Sequence, residues 1–320
     1  MVQEFDINLD LPLEECYKNL TQHFEPVFNE LRNEINTIYS QMVGFSLNYV
    51  VRYLTWTNSN NILHKDELEY YSNKIGMEFH KVLLMQLFYE INAACTSVGI
   101  QINNESALFR TMDWDMPFLK KITFKANYFK NNVKLYSAVA WYGSVGQFTA
   151  VNDNYAISVN YRRTTNGSFM DNFRRCLNMA WPISYALRCV FEQNYSFNEA
   201  KQFLSCVSLI APTYYTIIPK NFNDSLVIIR NPDAAFFMPL NPNGLLIQTN
   251  HNQLESLKTQ DNIIYSFERK TKCDSILNIK SDFVNHDDAI NNFMVTPIGN
   301  EETIYCCVMQ PGNDITVKLA

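Results

Sequence analysis

A short segment around Cys95 constrains the fold of this 320-residue chain most. Two apolar runs, at 98–100 and 107–109, flank a polar stretch of Asn, Glu and Ser. Apolar runs separated by such a turn indicate two paired strands. The second strand would return Arg110 and Asp113 to the start of the first strand, where Cys95 lies. A thiol, a guanidinium and a carboxylate would then share one end of a hairpin.

Four further motifs occur in order along the chain. They are Ile7-Asn8-Leu9-Asp10-Leu11-Pro12, Phe88-Tyr89-Glu90, Gln248-Thr249-Asn250 and Glu268-Arg269. Together with Cys95-Thr96-Ser97 and the positions of Arg110 and Asp113, this set resembles the acid ceramidase and N-acylethanolamine-hydrolysing acid amidase family. That family is part of the cholylglycine hydrolase-like group of N-terminal nucleophile (Ntn) hydrolases. The resemblance covers most of the chain.

The resemblance implies an α+β fold, the Ntn-hydrolase αββα sandwich, with a helical N-terminal α-subunit region. Family precursors cleave themselves just before the cysteine, which implies scission between Ala94 and Cys95. Residues 1–94 would become an α-subunit, and residues 95–320 a β-subunit with the catalytic domain. The two fragments would stay associated. The implied activity is hydrolysis of a fatty N-acyl amide, an N-acylethanolamine or a ceramide-like lipid, through a thioester and without a cofactor.

The residue types suit this chemistry. The thiolate is the nucleophilic form of cysteine, and a free thiol has a pKa of about 8.5. A cut before Cys95 would create an α-amino group, which has a pKa of about 7.7–8.0 and can take the thiol proton. Arg110 would favour the thiolate, and Asp113 would accept hydrogen bonds from the α-ammonium or from Arg110. Asn250 would donate to the developing oxyanion, and Arg269 would hold the carboxylate side of the cluster.

Each residue also has an ordinary structural explanation. A lone cysteine at the start of a strand is most often a small buried hydrophobe. Asn250 alone would be a turn residue, and Arg269 alone would be a solvated charge. The combination, in this order and at this spacing, favours the catalytic interpretation.

Two segments are predicted to bind substrate. Similar glycine-containing segments line the active site in the family, which points to Trp141 and Tyr142 in the segment 137–150. The strand that ends in Asn160-Tyr161-Arg162 differs from acid ceramidase, where this motif resembles Asn-Glu-Arg. Because Tyr161 stands where the family has a carboxylate, the resemblance leaves the substrate choice and the pH optimum open.

Three alternative functions remain open from the sequence. The same cluster would serve a penicillin V acylase or bile-salt-hydrolase-like amidase with a different pocket. A papain-like Cys-His hydrolase would need a partner histidine, and only His251 is near a proposed active-site element. A non-cleaving homologue that binds lipid or a protein partner belongs to a different class. Intact Ala94–Cys95 without amide turnover would distinguish this last alternative.

Composition excludes some classes of function. The net charge is −6 and no Lys/Arg-rich run occurs, so the sequence gives no electrostatic indication of nucleic-acid binding. Five scattered histidines and the absence of a Cys-x-x-Cys motif give no zinc pattern, and we expect no metal. The N-terminus shows no signal peptide. This favours a cytoplasmic location, or a lysosomal or secreted one if a leader has been removed.

Periodicity predicts the elements around the hairpin. Apolar residues at helical spacing indicate a helix over 13–42, kinked at Pro26, and a second over 65–92. The aromatic stretch 44–58 would be either a buried helix or an element that contacts a membrane surface transiently at the substrate entrance. Further helices are predicted over 171–193, 197–207, 274–279 and 289–295. Strands between them, closed by 303–309 and 315–319, complete the expected sandwich.

Overall fold

The computed structural model describes residues 2–42, 61–87, 93–163, 172, 174–175, 180–253, 265–312 and 315–320. In chain order, the strands are β1 (Gln3–Asn8), β2 (Ala94–Ile102), β3 (Glu105–Asp113), β4 (Thr123–Lys130), β5 (Val133–Trp141), β6 (Thr149–Val151), β7 (Tyr155–Tyr161), β8 (Thr213–Pro219), β9 (Leu226–Asn231), β10 (Ala234–Pro239), β11 (Leu246–Gln248), β12 (Asp282–Phe283), β13 (Thr303–Met309) and β14 (Ile315–Leu319). The helices are α1 (Leu13–Cys16), α2 (Lys18–Phe24), α3 (Phe28–Met42), α4 (Lys65–Ile75), α5 (Phe79–Met85), α6 (Leu119–Ile122), α7 (Ile183–Glu192), α8 (Phe197–Cys206), α9 (Ser266–Ile279) and α10 (His286–Phe293).

The strands form two sheets. The larger has eight strands in the order β1-β4-β5-β6-β7-β8-β9-β10, and only its β1–β4 pair is parallel. The smaller has six strands in the order β11-β2-β3-β13-β14, with β12 paired to β2. The hairpin predicted around Cys95 is the centre of the smaller sheet, since β2 and β3 pair antiparallel from Ala94 opposite Asp113 to Ile102 opposite Glu105.

The sheets face each other between two helical layers. Strands β2 and β3 pack against β7 and β8 of the larger sheet. Helices α7 and α8 cover the outer face of the larger sheet, and α9 and α10 cover the outer face of the smaller one. The sheets approach closely at Gly99, where a Cβ would stand 3.0 Å from the Ile218 side chain. This arrangement is the predicted αββα sandwich, and the α+β fold class is confirmed.

The N-terminal region contains helices, as predicted, and one strand that was not. A 3₁₀ turn at Glu25–Val27, which includes Pro26, joins α2 to α3. Strand β1 extends the edge of the larger sheet, and Asn127 donates to the carboxylates of Glu4 and Asp6 from the neighbouring β4. Residues before the proposed scission site therefore complete a sheet formed mainly by residues after it.

Two helix predictions need correction. The helix predicted over 65–92 ends at Ile75, because Gly76 adopts a left-handed conformation with φ +70° and closes α4. Helix α9 begins at Ser266, eight residues before the predicted start. The segment 44–58 lies outside the described residues. Within the part of the chain described, no helix is both long and apolar enough to cross a membrane.

Candidate active site

Cys95 lies at the start of β2, and its side chain points inward between the two sheets. It is fully buried. Arg110 on β3 places Nη2 3.3 Å from Cys95 Sγ and donates from Nη1 to the backbone carbonyl of Phe148. The thioether sulfur of Met112, directly opposite on β3, lies 3.7 Å from the same Sγ. The guanidinium therefore touches the thiol, as predicted, and a main-chain oxygen fixes its direction.

Arg269 contacts Cys95 from the outer face of the smaller sheet. It projects from α9 and is fully buried. Its Nη1 donates to the Cys95 carbonyl at 2.7 Å and to Thr96 Oγ1 at 2.8 Å. Its Nη2 donates to Asn250 Oδ1 at 2.7 Å. Arg269 thus binds the backbone at Cys95, in addition to the carboxylate of Asp113 at 3.5 Å.

Asn250 connects the residues around the proposed scission site. Its Oδ1 accepts from the backbone N–H of Cys95 at 2.9 Å, beside the bond from Arg269. Its Nδ2 donates to the carbonyl of Tyr161 at 2.8 Å and lies 3.5 Å from the carbonyl of Ala93. The amide oxygen of Asn250 thus faces two donors, and its amide nitrogen faces two carbonyl oxygens. This hydrogen-bond network determines which way the side-chain amide is oriented.

Asp113 lies on the face of β3 opposite to Arg110, because it is three positions further along the strand and side chains alternate between the two faces. Its carboxylate accepts from Thr303 Oγ1 at 2.8 Å and Thr111 Oγ1 at 3.1 Å, with Arg269 at 3.5 Å. The expectation that Asp113 orients Arg110 is therefore corrected: Arg269 is its cationic neighbour. Burial raises the pKa of the Asp113 carboxyl, and Arg269 and the threonines offset this only in part.

Asn160 contacts the main chain at Cys95. Its Nδ2 donates to the carbonyls of Gln248 at 2.9 Å and Cys95 at 3.3 Å, and its Oδ1 accepts from Ser97 Oγ at 2.6 Å. Tyr161 is half-buried, and its carbonyl accepts from Asn250. Asn160 thus contacts the Cys95 carbonyl directly, whereas Tyr161 is linked to Cys95 through Asn250.

Trp141 and Tyr142 border a small apolar cavity of about 50 Å³ between the N-terminal helices and the larger sheet. Its walls include Leu31, Ile35, Trp114 and Phe148. The Trp141 ring packs 5.5 Å from that of Phe148, whose carbonyl binds Arg110. Tyr142 instead stacks on Phe28 at 5.2 Å. The cavity is therefore connected to the thiol only indirectly, through Phe148 and Arg110. Tyr142 mainly packs against the N-terminal helices.

His251 supports the turn that carries Asn250. Its Nδ1 lies 2.8 Å from Ser266 Oγ and 3.1 Å from Thr249 Oγ1, and Ser266 Oγ accepts from the backbone N–H of Asn250 at 2.9 Å. Burial lowers the pKa of His251 to about 4, and the charges of Lys270 and Arg269 add to this effect. The imidazole is thus neutral near pH 7 and is engaged with hydroxyl groups, an arrangement that does not favour a Cys-His hydrolase.

The sequence interpretation missed the hydroxyl groups that support the site. Thr96 and Thr303 bind Arg269 and Asp113, and Ser266 holds Asn250. Strand alternation offered one signal, because Thr96 lies an odd number of residues from Cys95 and therefore faces α9. Among the described residues, no group of three or more His, Cys, Asp or Glu side chains could hold a metal ion.

Comparison with known proteins identifies the relatives of this chain. It is 30% identical over 309 residues to an uncharacterised protein of Acanthamoeba polyphaga mimivirus, with 94% of each chain covered. It is 24% identical over 323 residues to the N-acylethanolamine-hydrolyzing acid amidase of Mus musculus, which covers 95% of this chain and 84% of the relative. The solved Caenorhabditis elegans orthologue of that amidase aligns with a TM-score of 0.57 and 26% identity, over 68% of this chain and 94% of the other. No protein-family model matches the chain.

The two facing sheets, their outer helices and the buried cysteine at a strand start define a protein with the Ntn-hydrolase fold. The chain belongs to the family of N-acylethanolamine-hydrolysing acid amidases and acid ceramidases.

Proposed function

We propose that this chain is an autoprocessing amidase that uses Cys95 as an N-terminal nucleophile. The observation that carries the proposal is the set of contacts on that residue. Arg110 lies 3.3 Å from its sulfur, Asn250 accepts from its backbone N–H, and Arg269 donates to its carbonyl. These contacts hold both the thiol and the peptide bond that would be cut.

The proposed scission exchanges one bond at the Ala94 carbonyl carbon. The Cys95 thiol loses its proton as Sγ attacks that carbon, and the C–N bond to Cys95 breaks. The departing nitrogen takes the proton and becomes the α-amine, which leaves Ala94 in a thioester. Water then hydrolyses the thioester, frees the thiol and leaves a carboxylate on Ala94. No further reactant is required.

Turnover would repeat this chemistry on a substrate amide. The new α-amine takes the Cys95 thiol proton, and Sγ attacks the amide carbonyl. The α-ammonium then protonates the leaving amine, and water releases the acyl group from the thioester. Asn250 Nδ2 is the candidate donor to the oxyanion, a contribution of about 3–4 kcal/mol in comparable sites. Arg110 would stabilise the thiolate through its charge.

The substrate we propose is a fatty N-acyl amide, an N-acylethanolamine or a ceramide-like lipid. The names of the relatives support this class. The cavity beside Trp141 agrees with this class only in its apolar lining, since its volume of about 50 Å³ would have to widen to admit a fatty acyl chain. A penicillin V acylase or bile-salt-hydrolase-like activity is the alternative, and a panel of amides with different acyl groups would separate the two.

The mass of the purified protein after incubation at pH 4.5 and pH 7 tests the scission. A cut before Cys95 divides the 37.3 kDa chain into fragments of about 11 and 26 kDa, and we expect the larger to begin at Cys95. Cys95→Ala should remain a single chain, and Cys206→Ala, at an exposed free cysteine, is the matched control. A cleaved Cys95→Ala chain would refute self-cleavage. An uncut wild type without amide turnover at either pH would favour a non-cleaving binding protein.

A further inference from the structure

Gln86 is a buried amide in the N-terminal part of the chain (residues 1–94), and it binds a loop of the C-terminal part (residues 95–320). It follows α5 and is 4% exposed. Its Nε2 donates to the Gly143 carbonyl at 2.9 Å, and its Oε1 accepts from the Val145 N–H at 2.8 Å. The side chain thus pairs with the loop as the backbone of a neighbouring strand would.

The loop that Gln86 holds leads directly to the catalytic cluster. Gly143 begins it with a φ of +88°, a conformation that favours glycine. Five residues later, the carbonyl of Phe148 accepts from Arg110 Nη1, while Nη2 of the same guanidinium lies 3.3 Å from Cys95 Sγ. The Phe148 carbonyl also accepts from the Val159 N–H of β7 at 2.9 Å, so the loop and this strand together set the position of the acceptor that directs Arg110.

Other contacts hold the loop from the opposite side. Gln147 N–H donates to the carbonyl of Ser184, and Arg188 Nη1 donates to the carbonyl of Val145 at 3.0 Å. Both partners lie on α7, in the C-terminal part of the chain. Gln86 supplies the matching contacts from the N-terminal part and satisfies one donor and one acceptor of the loop backbone.

We propose that Gln86 is a positioning residue for the reaction. Through the loop 143–148, and together with the β7 backbone, it fixes the Phe148 carbonyl and thereby the guanidinium of Arg110 beside Cys95. The N-terminal part would then contribute to thiol activation without touching the thiol. This inference rests on the proposed function, because it assigns Arg110 the role of stabilising the thiolate. A purely structural Gln86 would affect stability and leave the ionisation of Cys95 unchanged.

Two substitutions test the proposal. Gln86→Met keeps the length of the side chain and removes both hydrogen bonds to the loop, whereas Gln86→Glu keeps only the acceptor for Val145 N–H. Lys81→Gln is the control: Lys81 lies on the same helix, and its hydrogen bond to Asn36 and ion pair with Glu78 stay within the N-terminal part. For each variant we would measure scission rate, kcat, KM and melting temperature.

The decisive measurement is the pH dependence of Cys95 alkylation by iodoacetamide in the self-cut protein, because the thiol is fully buried in the uncut chain. Peptide mass reads the alkylation, with exposed Cys206 as internal reference. We expect Gln86→Met to move the Cys95 profile to higher pH and to lower kcat roughly ten- to hundredfold at similar KM. Gln86→Glu should fall between Gln86→Met and the wild type, and Lys81→Gln should match the wild type.

An unchanged Cys95 profile in both Gln86 variants would overturn the proposal, whatever their melting temperatures. If Gln86→Met fails to fold, Gln86→Glu decides alone. A wild type that neither cuts itself nor hydrolyses amides would refute the proposed function. An unchanged Cys95 profile in self-cut Gln86 variants would instead leave that function standing and overturn only the role of Gln86.

Discussion

Among the described residues, the ion pair between Glu67 and Arg188 is the most buried of those that join the two parts of the chain that scission would separate. Arg188 donates from Nη1 to Glu67 Oε2 at 2.7 Å and from Nη2 to Oε1 at 2.5 Å. Tyr17 donates to the same carboxylate, and Glu192 accepts from Arg188 Nε at 2.7 Å. Only 12% of the Glu67 side chain and 3% of the Arg188 side chain are exposed. We predict that Glu67→Gln strongly destabilises the protein.

The magnitude follows from the pKa of the carboxyl. Burial alone would raise the pKa of Glu67, but the charge of Arg188 and hydrogen bonds from His64 and Arg188 hold it at about 2, against an ordinary value of 4.5. A shift of this size corresponds to about 3 kcal/mol of stability for the ionised form. Removal of one member of a buried ion pair costs a similar amount, because Arg188 would lose its bidentate carboxylate and keep its single bond to the Glu192 carboxylate. Glu67→Gln should therefore lower the free energy of unfolding by about 3 kcal/mol near pH 7.

Urea unfolding in the Cys95→Ala background measures this effect, since that variant should remain a single chain. Glu30→Gln is the matched control, because the Glu30–Lys121 pair also joins the two parts of the chain but is exposed. Its loss should cost less than about 1 kcal/mol. The pKa of Glu67 is depressed in the folded state, so its contribution should be complete above pH 4.5 and disappear as the pH falls through about 2. Equal effects of Glu67→Gln and Glu30→Gln, or an effect that grows as the pH falls from 4.5, would refute this reasoning.

Three further predictions concern the site and its supports. Gly146→Ala should lower the free energy of unfolding by about 1–3 kcal/mol in a urea titration, because its Cβ would stand 2.1 Å from Ser184 Oγ; wild-type stability would contradict this. Ser266→Ala leaves the buried N–H of Asn250 without its acceptor, so we expect a loss of about 1–3 kcal/mol and slower scission by mass spectrometry; scission at the wild-type rate would argue against this support. Because burial raises the pKa of the Asp113 carboxyl, wild-type stability should improve relative to Asp113→Asn as the pH falls through that raised value; urea titrations that show the opposite trend would contradict the assignment.

Local sequence patterns predicted most of the secondary-structure elements, whereas the sandwich arrangement came from the family resemblance. Strands β13 and β14 begin and end at the predicted residues, because dense β-branched and aromatic residues lie between clear turns. The capping pattern at Ser196 also has its expected geometry, with reciprocal bonds to Glu199 at the start of α8. Strand β1 was missed because it is a six-residue edge strand that pairs in parallel with a strand more than 100 residues away. Helix α9 was predicted too short because its first turns lack an apolar stripe.

The candidate site was predictable in composition but only partly in geometry. The order and spacing of the motifs indicated Cys95, Arg110 and Asn250, and the structure brings all three together. The orientation of Asp113 was available from its odd separation from Arg110, yet its partner Arg269 depends on the packing of α9 over the smaller sheet. The contact between Gln86 and the loop 143–148 had no signal, because no local pattern reveals which buried amide will face which turn.

The orientation of Asn250 allows one arrangement to serve both steps of the proposed mechanism. In the uncut chain, its Oδ1 accepts from the Cys95 N–H and from Arg269. The proposed scission would convert that N–H into an ammonium group, which has more donors and a positive charge, at the same atom. Arg269 would still hold Oδ1 and the Cys95 carbonyl, both through donors that scission does not alter. Scission would therefore change the charge at the nucleophile's nitrogen and free the space of Ala94, while the contacts that orient Cys95 need no rearrangement.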